Sequence, residues 1–201
     1  GDPQFFAPGT KYLYSTRGYT LLGALAEQAS GLAFRDLIRT YVFGPAGMTN
    51  ARVDHAYELI PNRVRGYFRS QNGDIRNAEF QDTSAILPGG GLCGTAEDLA
   101  RFGAAVMNRA ILNPRTVASM WTPQRTIDGG ETGYGLGWYV AGSGASLRVW
   151  HGGAQSGARG LLLLYPPQNA GVALLTNIEQ VDLRPTARAL VEEHGLTWSQ
   201  M

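Results

Sequence analysis

Two short stretches of the sequence carry side chains that could take part in chemistry. The first is Tyr14-Ser15-Thr16, a phenol and two hydroxyls between a turn at Pro8-Gly9 and a helical pattern. The opening of a helix leaves backbone N–H groups unsatisfied, so polar side chains and ligand groups collect there, held by the helix behind them. The second is His151-Gly152-Gly153-Ala154 at the end of a predicted strand. Its two glycines let a substrate backbone lie close to the protein backbone.

Taken alone, each stretch also has an ordinary structural interpretation. Tyr14 could be a packed aromatic with a solvated hydroxyl, and a histidine at a strand end is more often structural than catalytic. The two stretches are more informative together than apart.

Lysine is scarce, since Lys11 is the single lysine among 17 basic residues. Any mechanism that needs an active-site lysine therefore has one candidate in this chain.

Other kinds of site are excluded or weakly indicated. The run from Gly89 to Gly94 satisfies GxGxxG, but the strand-helix-strand unit of a dinucleotide site is absent, so the glycines predict a tight turn near a cleft. No serine lies in GxSxG, and the three histidines form no HExxH or His-x-His pair. Cys93 is the only cysteine, which excludes a disulfide and a multi-cysteine metal site; a buried, unreactive thiol is expected. We expect no metal and no cofactor.

Apolar residues at helical spacing predict the helices that position these stretches. A helix over 17–30 should bury Leu22 and Leu25 and end at Gly31 in a left-handed cap. Other helices are predicted with inner faces at Phe34, Leu37, Ile38 and Tyr41; at Leu99, Phe102, Gly103 and Val106 after a Thr95 cap; at Val117, Met120 and Trp121 after Asn113-Pro114; and at Ala187, Leu190, Val191 and His194.

Short apolar runs separated by turn residues predict the strands. Asn72-Gly73 predicts a type I′ turn between strands within 64–70 and 75–80. Runs in the last third, over 135–140, 147–151, 158–165 and 171–175, predict an antiparallel meander. Helices followed by a meander and a last helix predict an α+β domain, with helices covering the faces of an antiparallel sheet.

Composition limits the domain organisation and the partners. The chain has 201 residues, of which 44% are hydrophobic and 16% charged, and no linker or repeat divides it. It is long enough for a sizeable core, so residues 1–201 are interpreted as one domain or a large part of one. A net charge of +1 with scattered arginines gives no reason to expect nucleic acid. No apolar run approaches the roughly 18 residues of a membrane span.

Six motifs in order resemble the serine β-lactamase-like family, which contains class C β-lactamases, D-alanyl-D-alanine carboxypeptidases, family VIII esterases and the mitochondrial serine β-lactamase-like protein. They are Pro8-Gly9-Thr10 with Tyr12-Leu13-Tyr14-Ser15-Thr16, Gly18-Tyr19-Thr20-Leu21-Leu22-Gly23, Pro45-Ala46-Gly47-Met48, Pro88-Gly89-Gly90-Gly91-Leu92, Tyr134-Gly135-Leu136-Gly137-Trp138 and His151-Gly152-Gly153. Each motif is loose alone, but together they cover nearly the whole chain. The resemblance implies a β-lactamase/transpeptidase-like fold, incomplete at its N-terminus.

The resemblance also implies roles for individual residues. The family's Tyr-x-Asn motif falls on Tyr14-Ser15-Thr16 and its Lys/His-x-Gly motif on His151-Gly152-Gly153. Tyr14 would then transfer protons with help from a nearby cation, and His151 would lie across the cleft from it. The backbone N–H of Ala154 would supply half of an oxyanion hole, and Thr16, Gly152 and Gly153 would contact substrate.

Two departures from the family pattern shape the expected function. Thr16 stands where the family often has asparagine, which favours an esterase or peptidase over a dedicated β-lactamase. A Ser-x-x-Lys motif cannot occur here, because Pro8 lies three residues before Lys11. We therefore expect a serine hydrolase that forms an acyl-enzyme with an ester, small amide or peptide, its nucleophile lying in an N-terminal segment of roughly 100 residues or more. This chain alone should be inactive. The alternatives are a β-lactamase or penicillin-binding protein, and a non-catalytic binding or assembly module of the same fold.

Overall fold

Six α-helices and eight strands form residues 5–198, the part of the chain that the computed structural model describes. The helices are α1 (Thr16–Ser30), α2 (Phe34–Ile38), α3 (Leu87–Gly90), α4 (Ala96–Met107), α5 (Pro114–Met120) and α6 (Arg184–Glu193). The strands are β1 (Arg52–Val53), β2 (Tyr67–Arg69), β3 (Ile75–Asn77), β4 (Leu92–Cys93), β5 (Tyr139–Ala141), β6 (Arg148–Gln155), β7 (Ala158–Tyr165) and β8 (Ala170–Thr176). No helix in this part is long and apolar enough to cross a membrane.

The main sheet is the antiparallel meander that the last third of the sequence predicts. Its order is β5-β6-β7-β8, with each strand paired to the next in the chain. The first predicted strand is wrong at its start: the segment 135–138 is not a strand, and β5 begins at Tyr139. Gly137 has a φ of +82°, a conformation that glycine adopts without strain but that does not continue a strand.

Helices cover both faces of this sheet, as the α+β prediction requires. Leu162 and Leu164 of β7 point to one face, where they cluster with Trp138 and Val149 and are covered by Phe102 of α4. Leu163 and Tyr165 point to the other face, against Val191 of α6. Neighbouring residues of one strand face opposite sides, so β7 serves both layers and reads as a continuous apolar run.

Strand β6 continues further than the sequence indicates. His151 does not end the strand, because β6 pairs with β7 as far as Gln155↔Ala158, where the two-residue turn Ser156-Gly157 closes the hairpin. The pairing with β5 stops earlier, at Tyr139↔Trp150. Residues 151–155 are therefore bonded to β7 on one side only. Their other side is a free edge of the sheet.

Helix α1 confirms its predicted ends but not its predicted burial. Ser15 caps its start, and Gly31 ends it with a φ of +69°. The face expected to be buried is uncovered, since Leu22 and Leu25 are each 57% exposed, and the neighbouring Leu21 is 63% exposed. Helix α1 packs instead on its opposite side, so helical periodicity identified an apolar face for which the described residues provide no cover.

That packing depends on a close approach between α1 and α3. Gly23 is the buried residue of α1, and a Cβ atom at this position would lie 2.1 Å from Cγ of Pro88. The glycine run after Pro88, from which the sequence predicts a tight turn, contains regular secondary structure. It forms the single turn α3 and then β4, which pairs with β1. The turn gives Pro88 a fixed position against Gly23.

Smaller predictions have mixed outcomes. Strands β2 and β3 form the expected hairpin, but only Gly73 of its turn has a positive φ, at +88°, so the turn is not type I′. The second helix changes after Ile38 into a π-helical turn, Arg39–Phe43. Asn113 caps α5, and Val117 is buried, as predicted. His194 caps the end of α6, with Nδ1 2.9 Å from the carbonyl of Leu190.

Thr95 caps the start of α4, as predicted, and forms a capping box with Asp98. The Asp98 side chain, 2% exposed, accepts hydrogen bonds from the N–H and hydroxyl of Thr95, both at 3.0 Å, and from the N–H of Asn50 at 3.3 Å. The Thr95 hydroxyl accepts in turn from the N–H of Asp98. One buried carboxylate thus joins the segment before β1 to the helix that covers the sheet.

We predict that Gly23→Ala destabilises the protein by about 1–3 kcal/mol, the usual cost of overpacking. The added methyl group would overlap Pro88, although alanine is ordinarily better than glycine inside a helix by about 1 kcal/mol. Gly18→Ala is the matched control on the same helix, because a Cβ atom there would lie 3.4 Å from Ser15, an ordinary contact. Urea unfolding should show opposite signs for the two variants. Equal stabilisation would contradict the packing argument.

We predict that Asp98→Asn lowers the free energy of unfolding by about 1–3 kcal/mol, because an amide cannot accept from all three donors. Burial opposes ionisation, but the hydrogen bonds and Arg101 outweigh it and hold the pKa of Asp98 below its usual value. This stabilisation is complete above the unfolded pKa of about 3.9 and is lost as pH falls through the lower folded pKa.

Acid unfolding curves should therefore be shallower below about pH 4 for Asp98→Asn than for the parent protein. The control is Asp74→Asn, whose carboxylate is exposed and lies 3.7 Å from Arg76. A similar loss of stability in both variants would indicate a general charge effect.

Candidate active site

Tyr14 lies in the extended segment that leads into α1. Ser15, the next residue, caps the helix, and its Oγ accepts from the N–H of Gly18 at 3.0 Å. Thr16 is the first residue of α1, and its methyl group lies beside Gly89, where an added Cβ would come within 2.7 Å of it. The hydroxyl of Ser15 is therefore used in the cap. Tyr14 and Thr16 are the residues of this motif that line the cleft.

The fold brings Tyr14 and His151 together from distant parts of the chain. Their ring centroids are 5.8 Å apart, with the rings inclined at 41°. The polar atoms of His151 bond to other partners: Nδ1 lies 2.7 Å from the carbonyl of Gly152, and Nε2 lies 2.9 Å from the hydroxyl of Tyr134. The two predicted site residues are thus in ring contact, and His151 is held by a third residue.

Tyr134 is a site residue that sequence reasoning missed. It is 6% exposed, and its hydroxyl also lies 3.2 Å from that of Tyr19 in α1. Its ring contacts the rings of Tyr12 at 5.3 Å and Tyr139 at 4.8 Å. The available signal was its position in the Tyr-Gly-Leu-Gly-Trp motif, which supported the resemblance but assigned the tyrosine no role.

The protonation of this aromatic cluster follows from its surroundings. Burial, together with the neighbouring Tyr19 and Tyr139, raises the pKa of Tyr14 above its ordinary value. Burial also raises the pKa of Tyr134 and lowers the pKa of His151. Near neutral pH the hydroxyls of Tyr14 and Tyr134 are therefore protonated and the imidazole of His151 is neutral. For Tyr14 to act as a base, a cation would have to be brought close to its hydroxyl.

The free edge of β6 lies beside this cluster. Across a two-residue hairpin loop the flanking pair, here Gln155 and Ala158, is hydrogen-bonded, and bonding alternates along the strand. The N–H and C=O groups of Gly152 and Ala154 therefore point away from β7, towards the free edge. A Cβ atom at Gly153 would meet nothing within 4 Å, so this edge borders open space.

A broad cleft runs along this edge towards α3 and β4. The tip of β6 is tied to the far side by Gln155, whose amide donates to the carbonyl of Gly90 at 2.9 Å. Cys93 also lines the cleft, and burial raises the pKa of its thiol. Among residues 5–198 no group of three or more His, Cys, Asp or Glu side chains is placed to hold a metal ion. The cleft therefore offers backbone donors, phenols and one imidazole beside the free edge, and charged side chains such as Asp54, Arg63 and Arg159 also line it.

Comparison with known proteins connects this geometry to a family. Residues 1–196 match the family described as Beta-lactamase. The chain is 30% identical to the serine beta-lactamase-like protein LACTB, mitochondrial, of Homo sapiens, over 96% of this chain and 42% of that protein. It is 29% identical to penicillin-binding protein 4* of Bacillus subtilis, over 88% of this chain and 42% of that protein. The chain thus spans about 42% of the length of these relatives.

Solved structures show the same architecture. The octameric penicillin-binding protein homologue from Pyrococcus abyssi superposes with a TM-score of 0.80 at 25% identity, over 94% of this chain and 44% of that chain. The penicillin-binding protein from Bacillus halodurans superposes with a TM-score of 0.77 at 24% identity, over 96% and 58%. The family match, the relatives and the shared fold agree: the chain belongs to the beta-lactamase family of serine hydrolases.

Proposed function

We propose that this chain provides the tyrosine and strand-edge part of an active site that hydrolyses an ester, a small amide or a peptide through an acyl-enzyme. The observation that carries this proposal is the placement of Tyr14 and His151, with rings 5.8 Å apart, beside the free edge of β6. The D-aminopeptidase of Brucella ovis, 29% identical over 77% of this chain, supports an amide or peptide substrate.

The chemistry assigned to each group follows from its position. A serine hydroxyl attacks the substrate carbonyl, its proton passes by way of Tyr14, and the acyl-enzyme is then hydrolysed. The N–H of Ala154, pointing out from the edge of β6, donates to the oxyanion, and the serine's own N–H is the second donor. Gly152, Gly153 and Thr16 border the space where the substrate backbone would lie.

The serine and the cation come from a segment that precedes this chain in the intact protein. Tyr14 needs a cation to become a base, and Ser-x-x-Lys would supply a lysine together with the nucleophile. The exposed apolar face of α1, defined by Leu21, Leu22 and Leu25, supports such a segment, since an apolar face of this kind marks an interaction site. The greater length of the relatives leaves room for it.

Two alternatives to an esterase or peptidase, a β-lactamase and a non-catalytic module, can be separated from it by experiment. Thr16 favours an esterase or peptidase over a β-lactamase, and turnover of p-nitrophenyl esters compared with nitrocefin separates the two. The lack of both serine and lysine in motif spacing favours a non-catalytic module with the same fold. A reading frame upstream of this chain that lacks Ser-x-x-Lys would support that module.

We predict that Tyr14→Phe in the intact protein lowers kcat for p-nitrophenyl ester hydrolysis by about 10²- to 10⁴-fold, the usual contribution of a positioned proton-transfer group. A fluorophosphonate probe should label the intact protein and should not label the 201-residue chain.

The control is Tyr57→Phe, because this side chain is 88% exposed and should leave kcat unchanged. Labelling of the isolated chain would overturn the assignment of the nucleophile to another segment. Unchanged hydrolysis in Tyr14→Phe would overturn the role of Tyr14.

We predict that the isolated chain self-associates through the exposed face of α1 and that the double variant Leu22→Glu/Leu25→Glu reduces this association. Charged side chains at these positions remove apolar area available for contact. Light scattering at several concentrations measures the effect, with Leu59→Glu/Val64→Glu as the matched control, since both residues are exposed outside α1. If the unmodified chain is a stable monomer, the result would contradict the proposal that a further segment covers this face of α1.

A further inference from the structure

Tyr134 joins three separate parts of the fold through its hydroxyl group. The residue lies in the loop before β5; its hydroxyl contacts that of Tyr19 in α1 at 3.2 Å and Nε2 of His151 in β6 at 2.9 Å. The backbone of Tyr134 is itself fixed, because its N–H donates to the hydroxyl of Thr132 and its carbonyl accepts from the N–H of Gln124. The phenol is therefore held between two partners rather than free to turn towards solvent.

The direction of each hydrogen bond follows from the first one. The carbonyl oxygen of Gly152 can only accept, so the Nδ1 of His151, 2.7 Å away, must carry a hydrogen. In the neutral imidazole the other nitrogen, Nε2, then has none and accepts from the hydroxyl of Tyr134. Because Tyr134 has a single hydroxyl hydrogen, its oxygen accepts from Tyr19. The chain of donors runs from Tyr19 through Tyr134 to His151.

Protonation of His151 reverses this chain. The imidazolium carries hydrogens on both nitrogens, so Nε2 becomes a donor and the oxygen of Tyr134 becomes its acceptor. The hydroxyl of Tyr134 then turns to donate to the oxygen of Tyr19. Both states of His151 keep both ring nitrogens bonded, and this holds only because Tyr134 can exchange donor and acceptor roles.

We propose that Tyr134 is a positioning residue for His151, whose hydroxyl fixes the ring as the Nδ1–H tautomer and accepts the Nε2 hydrogen when the ring is protonated. In the neutral state neither ring nitrogen offers a lone pair to the cleft. In that state His151 acts on substrate through its placement, and not by removing a proton directly. This last consequence rests on the proposed function, whereas the effect of Tyr134 on the imidazole does not.

Among residues 5–198, Tyr134 is the residue whose side chain is hydrogen-bonded to the imidazole of His151. The titratable rings in contact with it are Tyr14, Tyr134 and Tyr139, and the opposite residue on β7 is Leu162. Burial lowers the pKa of His151, and the Gly152 carbonyl acts in the opposite direction. Hydrogen bonds to a charged group are stronger than those between neutral groups, so losing the Tyr134 hydroxyl harms the imidazolium more than the neutral ring.

We predict that Tyr134→Phe lowers the pKa of His151 by about half to one unit, the difference between a charged and a neutral hydrogen bond. The measurement is an NMR titration of protein labelled with ¹⁵N-histidine, which reports the pKa and the tautomer of each imidazole. His151→Asn identifies the signal. In the parent protein the neutral ring should carry its hydrogen on Nδ1.

Two further variants make the test specific. Tyr139→Phe is the matched control, because its ring packs 5.7 Å from His151 while its hydroxyl bonds to Tyr12; the pKa of His151 should not change. Tyr19→Phe removes only the outer hydroxyl of the chain and should lower that pKa by a smaller amount than Tyr134→Phe. This variant decides the matter if Tyr134→Phe does not fold, which thermal unfolding of each variant establishes.

Several results would overturn the proposal. One is a neutral His151 with its hydrogen on Nε2, since the bond directions would then be wrong. Others are an unchanged pKa in Tyr134→Phe, or in Tyr19→Phe should it be the deciding variant, and an equal fall in Tyr139→Phe, which would assign the effect to ring packing. Failure of the proposed function is separable: an intact protein that hydrolyses no ester or amide would contradict that function and leave the imidazole measurements unaffected.

Discussion

The pairing of β6 with β7 supports both the core and the site. It runs from Val149↔Leu164 to Gln155↔Ala158, and its first half lies in the hydrophobic core while its second half extends past the end of β5. Residues 151–155 form their sheet hydrogen bonds with β7, and these bonds hold them in an extended conformation. A strand that is bonded on one side and open on the other presents regularly spaced donors and acceptors to a ligand. The rigidity of the candidate oxyanion donor is thus inherited from the sheet.

The second constraint is the contact of α1 with α3, which places Tyr14 opposite that edge. Gly23 allows the helix to approach Pro88, and the capped start of α1 carries Tyr14 immediately before it. The hydroxyl of Tyr19, also in α1, is hydrogen-bonded to that of Tyr134, which is in turn hydrogen-bonded to His151. Groups from α1, from the loop before β5 and from β6 therefore share one hydrogen-bonded system. A shift of any one of these elements would change the hydrogen bonds that hold the imidazole of His151.

Much of the fold followed from local patterns. Helix ends were predicted well at Gly31, Thr95 and Asn113, because caps depend on a few neighbouring residues. The meander was predicted for a similar reason, since apolar runs and turn residues are local signals. Predictions failed where a distant partner decides the outcome. The glycine segment became α3 because it packs on α1, and β6 outran its predicted end because β7 continued to pair with it.

The sequence by itself determined the family, the α+β class and the two motifs that contain Tyr14 and His151, because residue types at short spacing carry that information. It also established that Ser-x-x-Lys is absent from this chain. Only the tertiary structure decided which groups meet. Tyr134 lies 17 residues from His151 and 115 from Tyr19, and no periodicity relates residues at such separations. The exposed face of α1 was equally hidden, since a helical pattern shows which side is apolar, while burial depends on what the rest of the molecule places against it.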